Sequence, residues 1–229
     1  MKYPDTPRTE TVEQHFGIEV ADPYRWLEGD ARRHPDVAEW VRKQDDLART
    51  YLSRLPGRSY FRHRLETLFD HARLTAPEKR KNLYFFTRNP GLQSQDVLIV
   101  REGLHGEDRI LLDPNEWSED GTAALAEWAV CENGRYVAFA MQNSGSDWRT
   151  IRVLDVEEGT TLSDEIIWAR YTKLAWALNG TGFFYSRFPE PPEGELLKRQ
   201  SQTIPSFSIN LARRKMRIGW FMKHRMASC

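Results

Sequence analysis

Cysteine is nearly missing: the 229 residues hold two, Cys131 and the terminal Cys229. That is too few for a disulfide framework or a four-ligand zinc centre, and Cys131, in an apolar strand-like run, reads as a small buried hydrophobe. Long hydrophobic runs are missing too. No stretch approaches the roughly 18 apolar residues a helix needs to cross a bilayer, and the polar start Met1–Glu10 has no signal-peptide core. The expectation is a cytoplasmic chain with no membrane partner. A Gly-x-Ser-x-Gly elbow, which would expose a nucleophilic serine, does not occur. Gly145-Ser146 lies in Asn143–Trp148, a polar run that reads as a hairpin turn. Six scattered histidines lack the spacing of metal ligands, and no Gly-rich loop could cradle a phosphate. Asn179-Gly180-Thr181 matches a glycosylation sequon by pattern and reads better as a tight turn. No catalytic residue, metal or cofactor is therefore expected.

Acidic residues are missing from one region only. The last 34 residues hold eight Lys or Arg and no Asp or Glu, so a chain at −8 is joined to a tail at +8 and the two cancel to net zero. Taken literally, Arg213-Arg214-Lys215-Met216-Arg217 with Trp220 and Phe221 nearby suits a nucleic-acid arm or an amphipathic membrane contact.

The apolar residues that are present are organised. Val37, Trp40, Val41, Leu47, Ala48, Tyr51 and Leu52 recur mostly at helical spacings and predict a helix over Pro35–Ser53, stopped by Pro56-Gly57. Phe61, Leu65, Leu68 and Phe69 predict a second helix over Ser59–His71. After Pro77 the period changes, and short apolar runs predict strands at Leu83–Thr87, Val97–Arg101, Ile110–Leu112, Tyr136–Met141 and Ile151–Leu154. Polar turns such as Glu132-Asn133-Gly134 separate them at hairpin distances, so an antiparallel arrangement is expected and the fold class is α+β. An internal echo is also present. Glu132–Phe139 resembles Leu178–Tyr185 at an offset of 46 residues, each preceded by a tryptophan, Trp128 or Trp176. That spacing suits the blades of a β-propeller, with a two-sheet sandwich as the alternative on periodicity alone.

From Tyr3 to Glu195 the chain resembles the N-terminal part of the prolyl oligopeptidase family, cytosolic serine peptidases that cleave short peptides after proline. The resemblance rests on Tyr3-Pro4, on Asp22-Pro23-Tyr24-Arg25-Trp26-Leu27-Glu28 and on Tyr84-Phe85-Phe86 followed by Gly91–Gln95. It continues through Leu112–Asn115, Ser144–Trp148, Trp176 and Gly182–Tyr185. In that family a seven-bladed propeller caps an α/β-hydrolase domain. The resemblance implies that residues 1–75 form a helical segment on the hydrolase side and that 76–195 supply the first two or three blades, an incomplete propeller. The family's Ser, Asp and His fall in a later domain, so no catalytic residue carries over. Tyr171 falls near a propeller-side position that lines the substrate pocket, burial inside a blade being its plainer role. Short proline-containing peptides would be substrates of the intact parent, a monomer with no cofactor and no nucleic-acid or membrane partner.

The resemblance ends near Glu195. Read from the third base of each codon through the first two of the next, permitted codons for Ile209–Cys229 allow QLGTPQDEDRLVYETPDGIV, which resembles the family's continuation. In that reading Trp220-Phe221 must give Val and Met222-Lys223 must give Glu. Residues 196–229 are accordingly expected to be out-of-frame translation. The competing expectation is a non-catalytic propeller-type binding module whose basic tail recruits nucleic acid. An open wedge of two or three blades should also expose apolar faces and strand edges.

Overall fold

The computed structural model describes residues 2–143, 145–178, 180–191, 206–210 and 217–220. They form two compact units divided between Leu68 and Phe69.

The first unit opens with an antiparallel hairpin of β1 (Val12–His15) and β2 (Ile18–Ala21). Its two turn residues, Phe16 and Gly17, have φ of 53° and 82°, the left-handed pair that matches the twist of flanking strands. Helix α1 (Pro35–Ser53) coincides with the range expected from its periodicity. Pro35 opens it without losing a helical hydrogen bond, and Asp36 in the first turn complements the helix dipole. Its inward stripe buries Val37 and sets Trp40 edge-on to Trp26, ring centroids 6.4 Å apart. The two indoles are fixed at their polar ends. Trp26 Nε1 donates to the Pro7 carbonyl at 2.9 Å and Trp40 Nε1 to Thr6 Oγ1 at 3.0 Å. Helix α2 (Arg58–Phe69) follows the Pro56-Gly57 break and buries none of its residues.

The second unit is three antiparallel sheets. The first joins β3 (Arg73–Leu74), β4 (Glu78–Arg80), β5 (Leu83–Asn89), β6 (Val97–Glu102) and β7 (Asp108–Leu112). The second runs in sequence order through β8 (Ala124–Val130), β9 (Tyr136–Gln142), β10 (Arg149–Asp155) and β11 (Thr160–Ala169). The third is β12 (Ala175–Trp176), β13 (Gly182–Ser186), β14 (Ser206–Asn210) and β15 (Arg217–Trp220), its last two strands drawn from the basic tail. All five strands expected after Pro77 are present, each extended by one to three residues.

Two apolar layers hold these sheets face to face. Phe85, Leu98, Val100 and Leu112 of the first sheet meet Val130, Val137, Phe139 and Leu154 of the second. On the other side of the second sheet, Ala138, Ala140, Ile151 and Val153 meet Leu174, Phe183 and Tyr185. Successive residues of a strand point to opposite faces, so β9 has to be apolar at every position, and its uninterrupted Tyr136–Met141 run follows from burial on both sides. Gly134, at φ +78° in the β8–β9 turn, takes a conformation side chains resist, and a Cβ there would lie 3.3 Å from Leu83 Cδ1. Cys131 is fully buried and its thiol donates to Asn133 Oδ1 at 2.9 Å. The 46-residue echo is the β8–β9 hairpin repeated as β12–β13, with Trp176 stacked on Tyr136 at 6.4 Å. Ser144, Asn179, Leu196, the Arg213–Met216 cluster and Phe221–Cys229 lie outside the described residues.

Candidate functional site

The most elaborate side-chain cluster of the second unit lies where the β9–β10 turn meets the end of β11. One extra residue is inserted in β11, where Ile167 and Trp168 fall opposite the single Thr150, because Arg149 pairs with Ala169 whereas Ile151 pairs with Ile166. A β-bulge of this kind bends the strand and re-aims its side chains. Trp168 takes φ +65° in it, and its buried indole nitrogen has no hydrogen-bond partner among the described residues. Tyr171, two residues beyond the strand, is likewise left-handed at φ +50°. A bulky residue there is strained, and such conformations persist only where the surroundings over-determine them.

The surroundings do so here. Thr172 is buried. Its Oγ1 accepts from the Ser186 backbone N–H at 2.7 Å, and its carbonyl accepts from Arg149 Nη1 at 3.2 Å. Arg170 lies between two rings, its guanidinium carbon 4.7 Å from the Tyr171 centroid and 5.3 Å from that of Trp148. Arg170 Nη2 donates to Asp147 Oδ2 and to the Tyr171 hydroxyl, both at 2.7 Å, and that hydroxyl donates to Asp147 Oδ2 at 3.0 Å. Trp148 meets Trp168 and Phe188 edge-on at 5.6 and 5.9 Å. The bonds from Arg170, and next from the Tyr171 hydroxyl, hold the Asp147 carboxyl below the usual carboxylate range.

Tyr171 is therefore not buried inside a sheet. It is 63% exposed, with its hydroxyl tied down and much of its ring open to solvent. Ser146 sits in the adjoining turn, its Oγ accepting from the Trp148 backbone N–H at 3.2 Å and its own N–H donating to the Asn143 carbonyl. That is turn chemistry, as the sequence suggested. Among the described residues no group of three His, Cys, Asp or Glu side chains could hold a metal ion. Arg170 escaped the sequence reading. Its only signal was a cation flanked by Trp148, Trp168 and Tyr171, residues that come together only after folding.

One strand from each of the three sheets also faces a common space. Lys79 and Arg80 of β4, Trp128 of β8 with Glu132 just beyond it, and Trp176 of β12 line a cleft of about 740 Å³. Trp176 Nε1 crosses from the third sheet to donate to the Ala129 carbonyl at 2.9 Å, fixing the spacing of two walls.

Comparison with known proteins gives this geometry a context. The family profile described as the prolyl oligopeptidase N-terminal beta-propeller domain matches residues 4–205. A prolyl endopeptidase of Elizabethkingia meningoseptica is 36% identical over 197 residues, 86% of this chain and 27% of that protein. A prolyl endopeptidase of Dictyostelium discoideum is 27% identical over 235 residues, covering 82% of this chain and 31% of its own length. Among solved structures, one from a study of two prolyl endopeptidases superposes with a TM-score of 0.86 at 32% identity, over 95% of this chain and 32% of that one. Prolyl oligopeptidase B of Galerina marginata, bound to a 25-residue macrocyclization substrate, gives 0.77 at 26% identity over 91% of this chain and 32% of its own. The chain thus spans about a quarter to a third of the length of the relatives it matches.

Proposed function

Because the chain belongs to the prolyl oligopeptidase family, we propose that it is the N-terminal part of a serine endopeptidase that cleaves short peptides after proline, and that it carries none of the catalytic groups itself. The observation behind this reading is the stack of three antiparallel sheets around a shared cleft, within a match that covers 27% of a prolyl endopeptidase. On this reading the sheets are the first three blades of an incomplete propeller, and residues 1–75 belong to the hydrolase side. The apolar faces of α1 and α2, with Tyr51, Phe61 and Leu65 exposed, are then surfaces kept for that domain.

Its own residues would serve binding and access. Tyr171, held by Arg170 and Asp147, offers its ring to a residue of the bound peptide. The cleft limits passage to slender substrates. Cleavage in the intact enzyme would require an activated serine, a histidine base and an oxyanion hole, chemistry that Ser146 in its turn does not supply. The out-of-frame origin of residues 196–229 belongs to the same proposal, and sequencing the gene from the codon of Glu190 to its stop tests it directly.

The purified chain should not turn over a proline-containing peptide reporter, since removal of nucleophile and base leaves no covalent route. Turnover that survives purification and is lost in Ser146→Ala would overturn this reading.

A further inference from the structure

A second arrangement of rings and carboxylates lies within the first unit. The segment from Asp5 to Thr9, the short helix that carries Trp26 and the first turns of α1 border a largely apolar pocket of about 500 Å³. Trp26 and Trp40 form two of its walls, both half-buried and set at 85° to one another. Their indole N–H groups are already engaged by the Pro7 carbonyl and Thr6 Oγ1, so the rings offer the pocket π surface and no donor. An aromatic face is electron-rich and attracts a cation laid over it.

The charges around the rings make the same demand. Asp5, Asp36 and Glu39 line the pocket against one cation among the described residues, Lys43. Lys43 Nζ lies 3.3 Å from Glu39 Oε1, and Arg42 Nη2 holds the same oxygen at 2.8 Å. Glu39 is therefore neutralised from its own helix, whereas Asp5 and Asp36 have no counter-charge in the pocket walls. Ionised carboxylates only accept hydrogen bonds, so a ligand that satisfies both kinds of wall is positively charged, flat and rich in N–H donors. A quaternary ammonium lacks the donors and a lysine ammonium lacks the flat face. A guanidinium has both, stacking on rings while its edge binds carboxylate. The second unit contains this combination complete: the Arg170 guanidinium carbon lies 4.7 and 5.3 Å from the Tyr171 and Trp148 centroids while Nη2 donates to Asp147. The pocket of the first unit repeats the rings and the aspartates, and its walls contain no arginine.

We propose that this pocket binds an arginine side chain presented by a partner peptide segment, the guanidinium lying along Trp26 and Trp40 and its N–H edge directed to Asp5 and Asp36. The site is built from residues 5–43 alone, and it stands or falls independently of the peptidase reading and of the origin of the tail. A metal ion fits poorly, because two of the walls are rings rather than the oxygen ligands a hard cation requires.

The test is a titration of the isotope-labelled full chain with N-acetyl-arginine amide, followed by NMR through the indole N–H signals of Trp26 and Trp40. Both should shift saturably while those of Trp117 and Trp176 stay in place. N-acetyl-citrulline amide, flat and equally long but uncharged, should bind about tenfold more weakly or worse. The arginine probe should lose about the same factor in Asp5→Asn/Asp36→Asn, a variant that changes two exposed side chains. If that variant disturbs the pocket, the arginine and citrulline probes on the native chain decide, because they alter the ligand alone. Equal binding of those two probes, tighter binding of choline than of the arginine probe, or no saturable shift of either indole would overturn the site.

Discussion

A tyrosine at φ +50° beside a tryptophan at +65° stores strain that four side chains and two backbone bonds must hold. The electrostatic part of that restraint depends on the Asp147 carboxylate. Its proton affinity is lowered by Arg170 and then by Tyr171 in the folded chain, so its contribution is present above the unfolded value of about 3.9 and is lost as pH falls through the lower folded value. Acid titration of Trp148 fluorescence should therefore show a step below about pH 4 that is missing in Asp147→Asn, whose near-ultraviolet signal should already resemble the acid form at neutral pH. A titration identical in the two chains would show that Asp147 does not hold the cluster. Little of this site was legible beforehand. Tyr171 was reached by resemblance, and its exposure was not foreseen because a one-residue bulge cannot be read from an apolar pattern. Arg170 could not be found at all, since a cation between rings has no sequence spacing of its own.

At the scale of elements, legibility follows burial. Helix α1 was readable to its ends because Pro35 and Pro56-Gly57 bracket a clear period, and β5, β6, β9 and β10 were readable because burial makes them apolar. Strand β11 was not, for its Thr160–Glu165 half, at the outer side of its sheet, buries no residue and holds one apolar side chain, Leu162, among polar ones. Nor was the β1–β2 hairpin, whose strands bury no residue. The same contrast sets the cost of substitution. Phe139 is 2% exposed and lies 6.0 Å from Trp117 in the layer between the first two sheets. Phe139→Ala should cost about 3–5 kcal/mol, measured by denaturant unfolding, and a loss under about 1 kcal/mol would mean that this layer collapses around the gap. Leu65, 51% exposed on α2, makes the opposite case. Leu65→Lys should leave stability within about 0.5 kcal/mol while reducing self-association in sedimentation, because it breaks an apolar patch. A large loss of stability would reveal packing on that face.

For the whole molecule the deciding quantity is how unevenly stability is distributed between the two units. The second sheet is sandwiched: Val137, Ala138, Ala140, Ile151 and Val153 are at most 1% exposed, and their amides can open only when both apolar layers separate. Helix α2 is at the other limit, twelve residues with none buried, and a helix of that length is marginal in water without tertiary packing. Helix α1 falls between, anchored through Val37 and the Trp26–Trp40 contact but solvated toward Ser53. Native-state exchange should thus form a gradient: slowest in β9 and β10, close to the global unfolding rate, intermediate in the first half of α1, and nearly unprotected in α2. Heating should melt the sheets as one transition visible by tryptophan signals, with helical ellipticity from α2 already fading below it. The gradient separates the two meanings of the exposed helix face. If α2 is protected as strongly as β9 in a monodisperse sample, the helices are held by contacts the fold does not show, and the view of residues 1–75 as a surface kept for another domain fails.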